Sequence, residues 1–133
     1  MNQLETVEFI NNKVNTSLVE AKYIYSPYDA SDDNYLVEIK NRKKDYDNPF
    51  IEVPKTKINL KLAKLENKQY LFVHQDSSGV FVFNVSKINL DNVPKKIIKA
   101  PATTDFSNNE RVDKEFWILK KSMATKLHLC ERL

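Results

Sequence analysis

Glu38 and Lys40 stand two residues apart in the stretch Tyr35-Leu36-Val37-Glu38-Ile39-Lys40-Asn41-Arg42. Leu36, Val37 and Ile39 predict a buried strand. A period of two then puts Glu38 and Lys40 on one face of a sheet. An acid and a base held together on a buried strand are costly unless they have chemistry to do or a partner to satisfy them. Just upstream, Ser31-Asp32-Asp33-Asn34 predicts a tight polar turn, which would carry Asp29 back towards Glu38. Two carboxylates and an ammonium gathered at one strand end can hold a divalent cation and stabilise a developing negative charge. Asp32 and Asp33 compete for the second carboxylate. Turns collect Asp for local backbone hydrogen bonds, so Asp29, at the strand end, is the preferred ligand.

Asp29, eight intervening residues, then Glu38-x-Lys40 resembles the core of the PD-(D/E)xK nuclease superfamily. That family places an Asp on one strand and Glu-x-Lys on the next, after a helix that in some members adds another Glu. The order of elements is similar over roughly residues 1–88. Tyr28 occupies the place directly before Asp29, and Pro27 lies one further back. The resemblance implies a restriction-endonuclease-like fold and a divalent-metal-dependent DNA endonuclease. Asp29 and Glu38, with the Ile39 carbonyl, would ligate Mg²⁺ or Mn²⁺. Lys40 would orient or deprotonate the attacking water, and Glu5 on the first helix would join the site.

Composition narrows the alternatives. A chain of 133 residues with 41% hydrophobic and 29% charged residues suits one globular domain. We expect a core over 1–88 and a C-terminal extension over 89–133. The lone glycine, Gly79, argues against phosphate-binding glycine loops, and so against a nucleotide cofactor. One cysteine, Cys130, excludes an internal disulfide and, with only His74 and His128, argues against structural zinc. No apolar run is long enough to span a bilayer and the N-terminus does not read as a secretion signal, so a cytoplasmic protein without a membrane partner is expected. A net charge of +3 permits a nucleic-acid partner without demanding one. The heavy use of Asn, Lys, Ile and Tyr matches an AT-rich genome, as many phages have.

The elements that must position the site follow from periodicity. Residues 3–14 predict a helix through Leu4, Val7, Ile10 and Val14, with Glu5 and Glu8 on its acidic flank. Residues 17–29 read as an extended segment ended by Pro27. After the motif strand, residues 41–49 read as a polar loop in which Arg42 and Lys43 are candidate phosphate contacts. Pro54 suits the first turn of a helix over 54–67. Ile58, Leu62 and Leu65 are expected to face the core, while Lys57, Lys61, Lys64 and Lys68 form a basic stripe suited to a phosphate backbone. Residues 69–74 and 80–85 predict a hairpin across Asp76-Ser77-Ser78-Gly79, with His74 as a strand-end histidine rather than a ligand. Residues 94–99 and 111–119 predict two further strands flanking a polar loop, and Ser122 is read as capping a terminal helix reaching Leu129. Trp117 and Phe106 either fill the core or stack on unpaired bases.

The expected fold is therefore α/β, a mixed central sheet flanked by helices, with the site at the end of the first hairpin. The expected partner is DNA, and a junction-resolving role would also imply a homodimer. The rival reading is a non-catalytic, small phage-type nucleic-acid-binding or host-modulating protein in which Glu38 and Lys40 form a structural ion pair. A pure protein-interaction module is a third class.

Overall fold

The computed structural model describes residues 1–101 and 110–128. Helix α1 (Gln3–Lys13) starts on a reciprocal cap: Asn2 accepts from the Glu5 N–H at 2.8 Å and Glu5 accepts from the Asn2 N–H at 3.0 Å. Strands β1 (Val19–Glu20), β2 (Ala30–Ser31) and β3 (Tyr35–Asn41) follow, then β4 (Phe50–Glu52) running straight into helix α2 (Val53–Leu65). The rest is β5 (Gln69–Asp76), β6 (Gly79–Asn84), β7 (Lys95–Pro101), β8 (Arg111–Ile118) and β9 (Thr125–Leu127).

The central sheet is mixed and runs β1-β2-β3-β5-β6-β9. β3 and β5 are parallel, and α2 lies in the connection between them, as a parallel pair requires. β4, β8 and β7 form a second, three-stranded antiparallel sheet. Gly79, at φ 145°, closes the β5–β6 hairpin in a conformation that side-chain-bearing residues rarely adopt.

The alternation of β3 divides the core in two. Val37 and Ile39 face α1, joining Val7, Ile10, Leu71, Val73 and Val80. Leu36 faces α2 and the second sheet, joining Tyr70, Phe72, Phe83, Ile51, Trp117 and Leu119. Glu38 shares the face of Leu36, so the acid sits on the α2 side. Trp117 and Leu119, from the C-terminal part of the chain, complete that inner core.

Several local expectations need correction. Only Val19 and Glu20 pair as a strand between residues 17 and 29; Tyr23, Ile24 and Tyr25 stand out in solvent. Residues 50–52, unassigned from sequence, form β4 because the apolar edge of β8 pairs with them. On α2 the buried residues are Val53, Thr56, Asn59 and Ala63, while Ile58 and Leu65 are 57% and 75% exposed. The terminal helix does not form. Lys121–Met123 make one 3-10 turn, and Thr125–Leu127 pair with the open edge of β6. Phe106 and Leu129 lie outside the described residues, and Trp117 is a core residue. Among the described residues no helix is long and apolar enough to cross a membrane.

Candidate active site

Glu38 is 3% exposed, in the middle of β3. Its Oε1 accepts from Lys55 Nζ at 2.9 Å and lies 3.5 Å from Lys40 Nζ. Its Oε2 is buried and finds no hydrogen-bond partner among the described residues. Burial pushes the Glu38 carboxyl above its ordinary value, and the Asp29 charge pushes it further, against the opposing pull of Lys55 and Lys40. A carboxylate so placed is held where one oxygen lacks what ionisation demands.

Asp29 reaches this point through the β2–β3 hairpin. Ala30 pairs with Val37 at the end of the paired register, and the charge of Asp29, the next residue back, is felt at Glu38. The Asp29 N–H donates to the Val37 carbonyl, and its Oδ2 accepts from the Ile39 N–H at 2.7 Å. The side chain is thus fixed by the strand that carries Glu38. The rival aspartates are elsewhere. Asp32 takes the N–H groups of Asn34 and Tyr35 on Oδ1 and that of Ser17 on Oδ2, and Asp33 is exposed at the turn.

Lys55 is the residue that sequence reasoning missed. It lies in the first turn of α2, which carries no acid. A lysine there opposes the positive end of the helix dipole, so it needs a compensating partner. That mismatch was the available signal. Burial pulls the Lys55 ammonium down, but Glu38 at 2.9 Å and then Asp29 hold it above its ordinary value. It is therefore a firmly charged group rather than a ready base. Below Glu38, burial and then the Glu38 charge push up the Tyr70 hydroxyl, beside which lies the Asn59 amide.

The remaining candidates do not gather here. Glu5 is committed to the α1 cap, and α1 packs on the other face of the sheet. The Arg42 guanidinium shares the face of Glu38 but lies over the Tyr46 and Phe50 rings, at 5.8 and 5.5 Å from their centroids. Lys43 is exposed in the following loop. Lys57, Lys61 and Lys64 are exposed on α2, but a pitch of 3.6 residues sets them between about a third and a half of a turn round the helix from Lys55. Lys68 pairs with Glu66 at 3.4 Å.

A second polar cluster lies next along the same face. His74, register partner of Lys40, is buried, and its Nε2 is 2.9 Å from Asp76 Oδ2. Asp76 is fully buried and also accepts from Lys121 Nζ at 2.7 Å and from the Ser78 N–H at 2.9 Å. Burial alone would raise the Asp76 carboxyl, but donors from Lys121, Ser78 and His74 hold it well below the usual carboxylate range. Burial pulls the His74 imidazole below its ordinary value despite Asp76. Every donor is matched, so this cluster reads as a clamp that ties the C-terminal segment to the β5–β6 hairpin.

Comparison of the chain with protein-family models, with curated proteins and with solved structures finds no match. The functional reading therefore stands on these residues. Among the described residues no three side chains of His, Cys, Asp or Glu gather as a metal centre. Two carboxylates do suit a cation such as Mg²⁺, which commonly takes one or two protein carboxylates and completes its shell with water and substrate phosphate. The partnerless Oε2 of Glu38 is the atom whose chemistry fits such an ion.

Proposed function

We propose that the chain is a divalent-metal-dependent nuclease, hydrolysing phosphodiester bonds in DNA on a restriction-endonuclease-like core. The observation that carries this reading is Glu38: a buried carboxylate with one oxygen unsatisfied, within reach of the Asp29 charge and flanked by two ammonium groups. Groups whose ionisation is perturbed by burial and a specific charge partner cluster at catalytic sites. Asp29 and Glu38 would hold Mg²⁺ or Mn²⁺, with the Ile39 carbonyl as a further ligand. The ion would supply Lewis-acid polarisation of the phosphoryl oxygen and lower the ionisation cost of a bound water.

The chain's own residues divide the remaining work. Lys40, half exposed at the rim, orients the attacking water. Lys55, held charged by Glu38, would neutralise the charge that spreads over the non-bridging phosphate oxygens as the water oxygen bonds to phosphorus and the ester P–O bond breaks, the water giving a proton to solvent and the leaving oxygen taking one from it. The reading places the activity in a reducing, cytoplasmic compartment, in keeping with a single cysteine. A structural ion pair is the competing account, and the 2.9 Å Lys55–Glu38 contact favours it. It leaves Oε2 without a role.

Purified protein is expected to nick or cut DNA with Mg²⁺ or Mn²⁺ and to be inert in EDTA. Linear, single-stranded, flapped and branched substrates belong in the same assay. The rate should fall as pH drops, since a proton on the raised Glu38 carboxyl competes with the cation for the same oxygens. Inertness on every substrate with either metal would leave the structural ion pair as the better account.

A further inference from the structure

The loop between β1 and β2 exposes Tyr23, Ile24 and Tyr25 at 74%, 88% and 81%. Single exposed apolar residues are ordinary, but three in succession call for a partner. The loop is held at several points. The Ala21 N–H donates to the Asp29 carbonyl at 2.8 Å, the Ser26 N–H to the Tyr23 carbonyl at 3.0 Å, and Asn59 Nδ2 to the Pro27 carbonyl at 2.8 Å. Tyr28 packs against the core under α2. The two tyrosine rings meet edge to face at 6.3 Å. Four residues after Tyr25 the chain reaches Asp29.

The surroundings indicate what the loop meets. From Ala21 to Tyr28 the sole charged residue is Lys22, and there is no carboxylate. On α2, exposed Ile58 and Leu65 fall within about a quarter turn of Lys55. Lys40 and Lys55 themselves keep 42% of their side chains exposed. The loop is tied to α2, which carries Lys55 and these apolar side chains, through the Asn59–Pro27 bond, and its chain leads directly into Asp29 of the proposed phosphodiester site. An unpaired nucleic-acid strand presents bases that stack on aromatic faces and phosphates that pair with such cations. A duplex keeps its base faces stacked inside and offers the tyrosines little. We infer that Tyr23 and Tyr25 form a stacking platform for unpaired bases, which selects substrates of single-stranded character for the Asp29–Glu38 site. The inference rests on the phosphodiester-cleaving reading for its purpose, but its binding step is separable from cleavage.

The test uses a single-stranded oligonucleotide carrying 2-aminopurine and the duplex of the same sequence, both in EDTA so that no cleavage occurs. Wild type is expected to bind the single strand more tightly than the duplex and to change the 2-aminopurine emission on binding. The Tyr23→Ala/Tyr25→Ala variant should bind the single strand about tenfold or more weakly, as loss of base–aromatic stacking does elsewhere, while Tyr23→Phe/Tyr25→Phe should retain binding. Circular dichroism confirms that each variant folds. Equal single-strand affinity for wild type and the alanine variant overturns the inference, and so does a wild type that binds no single strand. A wild-type dimer that the alanine variant dissociates overturns it too, since a second copy would then cover the loop. Tyrosine-dependent binding by a protein that cuts nothing keeps the platform and defeats the nuclease reading. Unchanged cutting by the alanine variant, with unchanged single-strand affinity, does the reverse.

Discussion

Replacing Glu38 by Gln is expected to abolish cleavage and to stabilise the protein. The two effects share one cause. Glu38 is 3% exposed with Oε2 partnerless, and its carboxyl titrates above its ordinary 4.5 because burial penalises the charge. Between that ordinary value and the raised one, the folded state binds more protons than the unfolded chain. Stability contributed by the protonated form is therefore lost as pH rises through the raised value, and at neutral pH the ionised carboxylate is a net cost. Gln keeps the shape and removes the charge. Lys40 and Lys55, each with 42% of its side chain exposed, can turn to water. The expected gain is about 0.5–2 kcal/mol, in the range seen when functional residues are relieved of strain. The metal-ligating and electrostatic contribution lost is several kcal/mol, so the rate should drop by about a thousandfold or more. Thermal melts and cleavage rates on the same preparation check both halves. A variant that melts lower than wild type would mark Glu38 as half of a structural ion pair.

Asp76 should behave in the opposite sense. Its carboxylate is fully buried and receives Lys121, Ser78 and His74. Asp76→Ala leaves those donors unanswered in a low-dielectric setting, and breaking such a cluster costs about 3–5 kcal/mol. For a chain of this size that lowers the melting temperature by roughly 10–20 °C, a large part of a typical domain's 5–15 kcal/mol. Urea melts followed by circular dichroism give the number, and a change under about 1 kcal/mol would refute the clamp. The same cluster sets an acid limit. The unfolded chain protonates its imidazole near 6.5, whereas folded His74 is held lower. Below 6.5 the unfolded state thus binds more protons and stability falls with pH. Asp76, held below its ordinary 3.8, adds a further loss as pH drops through the carboxylate range.

The opposite signs expected at Glu38 and Asp76 would separate the proposed site from the scaffold on the same sheet face. Asp76 has every donor it needs; Glu38 has an oxygen without one.

The first part of this arrangement was legible in the sequence because its determinants are local. Alternation over 35–41 fixes which face carries Glu38, and the Asp32 turn fixes where Asp29 returns. Lys55 was hidden because it meets Glu38 through a crossover helix, 17 residues on, and a strand period carries no information across that distance. The face of α2 was misjudged because its buried residues include Thr56 and Asn59, small or polar groups that pack beneath the sheet, while the large Ile58 and Leu65 point outwards. β9 was read as helix because pairing with the edge of β6 leaves no mark on a three-residue segment. The exposed Tyr23–Tyr25 run carried strand propensity without a strand to join, since β-propensity measures fit to a pleated neighbour rather than an intrinsic preference.

The most direct measurement is an anomalous-difference map from crystals grown with Mn²⁺. The account predicts a peak bound by both Asp29 and Glu38, with Oε2 of Glu38 among its ligands, and no such peak in Glu38→Gln crystals. Millimolar Mn²⁺ that leaves this position bare, with Lys55 still on Glu38 Oε1, would contradict it.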